Sequence, residues 1–147
     1  MKSFQDEQGN KYDIKLTVGA VKRVRDLAGE DIYDLTSGEP PLANRLTTDI
    51  ILFVDVIYAC CKLQADEYGV SDAQFGENLA GKSISDAAEA FWAELIESFQ
   101  QAGRTDQSTV AEKNRQVMIA AISRGTQEMA AISVQEIVEE AYRPLTE

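Results

Sequence analysis

The chain has 147 residues, 44% of them hydrophobic, which suits one globular domain with a real core. Its formal net charge of −11 lacks the basic footprint of a nucleic-acid binder and keeps copies of the chain apart at long range. Histidine is absent, which removes the commonest general base, the usual catalytic triads and most zinc sites.

The N-terminus, MKSFQDEQGN, has no apolar region of the kind that marks a signal peptide, so a cytosolic protein is expected. Tyr12, Ile14 and Leu16 alternate with Lys11, Asp13 and Lys15, which predicts a β-hairpin over residues 3–16. Its first strand is short, around Lys2–Gln5, and its turn holds Gly9 and Asn10, both tolerant of positive φ. Thr17 reads as the N-cap of a helix whose apolar face is Ala20, Val21, Val24, Leu27 and Ala28, with Gly29 closing it. The outer face of that helix carries Lys22, Arg23 and Arg25. They form either a solvated face balanced by the protein's own carboxylates or a docking face for an acidic partner. A short helical turn is expected at Asp31–Leu35, followed by a loop at Ser37–Pro41.

The stretch from about 48 to 68 is the most apolar of the chain and predicts a central helix. Thr47, Thr48 and Asp49 supply its cap, and Leu46 is placed to staple against Ile51. Asp55, Lys62 and Asp66, with Ala59 among them, form the one outward strip, while Phe53, Ile57 and Cys61 point inward. Cys60 and Cys61 are neighbours on a helix, point about 100° apart and cannot bridge each other, so they read as reduced core residues. Ser71 and Gln74 make a capping box for a short helix, with Val70 and Phe75 at the staple positions. From about Ser85 to Ala102, one row of Phe91, Leu95 and Phe99 and another of Ala88, Trp92 and Ile96 predict a wide core stripe. Glu89, Glu94 and Glu97 are assigned to water. Gly103–Asp106 breaks the pattern and divides a hairpin-plus-helical core, residues 1–103, from a C-terminal helical arm, residues 104–147. In the arm, a helix over Gln107–Ile132 carries one row of Val110, Val117 and Ala121 and another of Met118, Ile122 and Met129. A last helix starts at the capping box Ser133 and Glu136. The fold class that follows is mainly α: a helical bundle around the central apolar helix with a small N-terminal β-hairpin.

No phosphate-cradling glycine loop, nucleophile elbow, zinc-protease helix or paired-cysteine motif occurs, and no EF-hand spacing either. The chain is therefore read as non-enzymatic, with no cofactor and no metal. Its longest apolar runs are too short to span a bilayer, so no membrane partner is expected. Asp55 is the one carboxylate that interrupts an apolar helix, and the strip argument turns it outward.

Two runs are familiar: YDIKLTVGAVKRVRDLAGEDIYDL at 12–35 and DVIYACCKLQADEYGVSDAQFGENLAG at 55–81. They resemble small proteins of tailed-phage and prophage structural clusters, over roughly the first two thirds of the chain; residues 105–147 carry no such resemblance. The resemblance implies a tail assembly chaperone that binds the tape-measure protein in the bacterial host cytoplasm, or alternatively a virion structural subunit of the tail or connector. For a long apolar client, the row Met118, Ile122 and Met129 is the first candidate binding surface, because methionine adapts to varied partners; the alternative is that these residues pack on the central helix. Lys22, Arg23 and Arg25 are the second. The open edge of the hairpin offers a route to a homo-oligomer.

Overall fold

The computed structural model describes residues 2–122. Strands β1 (Lys2–Gln5) and β2 (Lys11–Ile14) pair antiparallel, with Phe4 opposite Tyr12 and Ser3 opposite Asp13. The alternation works as expected: Phe4, Tyr12 and Ile14 are buried, and Leu16 follows them inward. In the turn only Gly9 takes positive φ. Asn10 instead donates from its backbone and side chain to the Asp6 carboxylate, at 2.9 and 3.0 Å, and Gln8 N donates to it as well.

Helix α1 (Val18–Ala28) starts at Thr17, whose hydroxyl accepts from Ala20 N at 3.1 Å. It buries Ala20, Val21 and Val24, and Ala28 packs against the core, but Leu27, expected on the same face, is 51% exposed. A helix not anticipated from the sequence, α2 (Leu42–Thr48), follows the loop and buries Leu42, Ala43 and Leu46. Thr47 and Thr48 belong to its last turn, where both hydroxyls bond back to Asn44 O. Asp49 alone separates α2 from the central helix α3 (Ile50–Tyr68), and its carboxylate accepts from Ile51 N and Leu52 N. The expected staple of Leu46 on Ile51 is therefore absent: Leu46 is buried in α2, and Ile51 is 71% exposed.

Along α3, Phe53, Ile57 and Cys61 are buried as the periodicity requires. Asp66 is exposed and holds Lys62 at 2.9 Å, whereas Asp55 and Lys62 are half-buried. Ala59 leaves the outward strip altogether and is fully buried, because α1 packs across it and Arg23 Nε donates to Ala59 O at 3.2 Å. Gly69 and Gly29 close α3 and α1 in the left-handed conformation, which costs a residue without a Cβ almost nothing. Helix α4 (Asp72–Glu77) has the full capping box from Ser71 and Gln74, with Phe75 buried beneath it.

Helix α5 (Lys82–Gln101) lies under β1 and meets α3 through rings. Phe53 sits 5.5 Å from Phe91 edge-on and 6.4 Å from Trp92 stacked, pairs worth about 0.5–1.5 kcal/mol each beyond their buried area. A second cluster joins Tyr12 to Phe4, Tyr68 and Phe75 and seats the hairpin on α3 and α4. Glu97 pairs with Lys2 at 3.0 Å, and Glu89 with Arg115 at 2.9 Å. Glu94, assigned to water by its spacing, is buried. Farther along the same helix the turn at 31–36 meets it, with the Tyr33 hydroxyl 2.9 Å from Ser98 Oγ.

Helix α6 begins at residue 105 and continues to 122. Gln107 is buried, and its Oε1 accepts from Leu35 N at 2.8 Å. Ala111 and Met118 join the core, while Val117 is 53% exposed. The first part of the expected C-terminal arm thus packs on α5 and the 31–36 turn. The rest of it, including Met129 and the capping box at Ser133, lies outside the described residues. The architecture is mainly helical, with a small two-stranded hairpin at the N-terminal end.

Candidate functional site

The start of α3 leaves apolar surface uncovered beside a groove. Asp49 caps the helix, and Ile50 and Ile51 fall in its first turn. They are 46% and 71% exposed. With Val54, Asp55, α4 and the start of α5 they line a groove of about 320 Å³ whose far wall is Asp72, Gly76 and Leu79. Phe75 anchors α4 to the core from beneath, which holds that wall in place.

The groove is apolar in its floor and acidic on its rim. Asp55, Asp72 and Glu77 line it, and Asp49 stands at the helix start beside it. Desolvation, reinforced by the negative charges of Asp72 and Asp49, pushes the Asp55 carboxyl above its usual pKa. A carboxylate in that position would gain from a nearby cation. The lining contains no hydroxyl, thiol or amine, so the chemistry it offers is recognition of an apolar group flanked by positive charge.

The candidates from the sequence end elsewhere. Met118 is buried at 4% exposure, and the Trp92 indole N–H donates to its sulfur at 3.3 Å. Ile122 is half-buried against the core, and Met129 lies outside the described residues. Lys22, Arg23 and Arg25 do not act as one face. Arg23 turns onto α3 to reach Ala59 O, Arg25 lies 3.7 Å from Asp31, and Lys22 is exposed. Cys60 and Cys61 are free thiols deep in the core. Burial pushes Cys60 up to about 12, against a smaller opposing effect of Arg23, and burial also raises the Cys61 thiol well above its ordinary value; neither is a nucleophile at neutral pH.

The groove had one legible signal. Ile51 stands one turn before Asp55, so an apolar residue shares the row that the polar strip defines. Counting Ile51 as a staple partner hid it. Among the described residues no cluster of three or more His, Cys, Asp or Glu side chains could hold a metal ion, and no helix is long and apolar enough to cross a membrane. No protein-family model, curated protein or solved structure matches the chain.

Proposed function

We propose that this protein is a non-enzymatic binding protein that serves as a tail assembly chaperone of a phage or prophage, holding the tape-measure protein in the bacterial host cytoplasm. The observation that carries the binding role is the groove between α3 and α4, with Ile50 and Ile51 open to solvent above a rim of carboxylates. The likeness of residues 12–35 and 55–81 to small proteins of phage structural clusters supplies the biological setting.

Physically, such a client presents a long apolar stripe that aggregates if left bare. A helix laid in the groove would bury its apolar residues on Ile50, Ile51 and Val54 and set its lysines or arginines against Asp55, Asp72 and Glu77. The net charge of −11 would then keep one coated client from the next. The test is co-expression with a fragment of the neighbouring tape-measure protein, followed by measurement of soluble client. Solubility rises with the wild-type chain and is lost with Ile51→Glu, a change at an exposed position that the fold tolerates. A client that stays insoluble beside folded, abundant wild-type protein refutes the chaperone reading. Recovery of the chain in stoichiometric amounts in finished particles would instead make it a structural subunit of the tail or connector.

A further inference from the structure

The two outer edges of the hairpin are treated differently. In an antiparallel pair the residues of every second pair aim their N–H and C=O away from the partner strand. Ser3 faces Asp13 and Gln5 faces Lys11 in the register. On the β2 side these outward groups are used. The Gln64 side chain accepts from Asp13 N and donates to Asp13 O, both at 2.8 Å, imitating a neighbouring strand. The Tyr68 hydroxyl donates to Lys11 O at 2.7 Å. Helix α3 has closed that edge.

Among the described residues the β1 edge is open. Asp13 and Lys11 point outward, so their partners Ser3 and Gln5 must point outward on the opposite side, and both are exposed. Among the described residues, no backbone group of Ser3 or Gln5 bonds to any element beyond the hairpin. Next to this edge lies a groove of about 490 Å³, bounded by Lys2, Ser3 and Phe4 and floored by the α5 row Asp86, Glu89, Ala90 and Ala93. Helix α5 thus continues past β1 and offers a third strand a ready floor. The two alanines leave room for side chains. Arg115 holds Glu89 at 2.9 Å and Lys82 lies 3.5 Å from Asp86, but the two carboxylates stay 43% and 47% exposed and open to a further cation.

We propose that the open edge of β1 takes up an extended, lysine- or arginine-bearing segment of a partner protein as a third strand lying on α5. Main-chain hydrogen bonds to Ser3 and Gln5 supply the pairing, as in strand addition generally. Side chains facing the floor fit over Ala90 and Ala93, and a basic residue among them meets Asp86 and Glu89. A second copy of this chain is the poorer occupant, because each copy carries a net charge of −11. The surface is separate from the α3–α4 groove, so it stands whether or not that groove binds a client.

The probe is an eight-residue peptide, blocked at both ends, alternating lysine with valine, added to the full chain carrying no N-terminal tag. Amide NMR shifts are expected at Ser3, Gln5, Glu89 and Ala93, with affinity falling as salt rises. A glutamate–valine peptide should bind at least ~10-fold more weakly, since the floor's charge then repels it. Ser3→Pro removes an N–H that the hairpin itself does not use, and binding should drop about 10-fold while the fold is kept. If that variant fails to fold, N-methylation of alternate amides of the peptide gives the same reading, because one of the two alternations blocks pairing. Shifts confined to the α3–α4 groove, or binding indifferent to both Ser3→Pro and N-methylation, overturn the proposal. Dimerisation of the chain alone that Ser3→Pro abolishes would assign the edge to a second copy and also overturn it.

Discussion

The two halves of α3 differ in what reaches them. The C-terminal half is engaged by its neighbours: α1 packs on Ala59 and the cysteines, and Gln64 and Tyr68 bond to the backbone of β2, while Leu63 alone of its aliphatic side chains stays 59% exposed. The N-terminal half sends Phe53, Val56 and Ile57 inward but leaves Ile50 and Ile51 in water among carboxylates. Residue type does not separate Ile51 from Ile57. What separates them is the neighbour that arrives on one side of the helix and not on the other. An uncovered isoleucine pair that lines a groove together with three carboxylates is the physical basis for treating the groove as a surface for another protein.

The sharpest way to break this comparison is to truncate both faces. Phe53→Ala removes a fully buried ring that touches Phe91 and Trp92 and should cost about 3–5 kcal/mol in denaturant unfolding. Ile51→Ala, two residues away, should stay within ~0.5 kcal/mol of wild type. Similar losses at the two sites would mean that the groove is closed in solution. Next in size is Gln64→Ala, which strips both bonds from Asp13 and should cost about 1–3 kcal/mol. Hydrogen exchange at Asp13 N should accelerate in that variant, and unchanged exchange would show that the edge is protected by something other than the amide.

The sealed half can be probed through its ionisations. Tyr12 is fully buried and its hydroxyl has no hydrogen-bond partner; burial, with Asp6 adding to it, pushes the phenol up to about 12. Both Tyr12 and the Cys60 thiol thus have folded pKa values above their unfolded ones. Their neutral forms favour folding fully below the unfolded values. That contribution is lost as pH rises from about 9 for the thiol, and from about 10 for the phenol, towards 12. Stability should therefore fall through that alkaline window. Tyr12→Phe, which removes an orphaned hydroxyl, should leave stability at pH 7 unchanged or slightly higher. A clear loss at pH 7 would mean that the hydroxyl is satisfied in solution.

The smallest expected effect belongs to the open half. The raised Asp55 pKa means that its charge opposes folding above that pKa and ceases to do so as pH falls and the group protonates in both states. Asp55→Asn should accordingly raise the melting temperature at pH 7, with the gain shrinking at acidic pH. A drop at pH 7 would show that Asp55 is already neutralised by a cation.

Most of the fold could be read in the sequence where local chemistry decides it. The Thr17 cap, the Ser71–Gln74 box and the Tyr12–Ile14 alternation are local signals, and each produced its element. The failures came where a distant segment decides. Glu94 reads as solvated by its spacing and is buried, and Ala59 reads as exposed and is covered where α1 crosses it. Helix α2 was missed because its final threonines resemble the cap of the next helix. The groove escaped for the same reason in reverse, since no periodicity reports that a neighbour is missing.

The measurement that bears most directly on the central claim is titration calorimetry of the chain with a tape-measure fragment, comparing wild type with Ile51→Glu and Lys22→Glu. Binding should be lost in the first variant and persist in the second, because Ile51 opens onto the groove and Lys22 lies on α1, outside its lining. Undiminished binding by a folded Ile51→Glu variant would contradict the account and move the binding surface away from the start of α3.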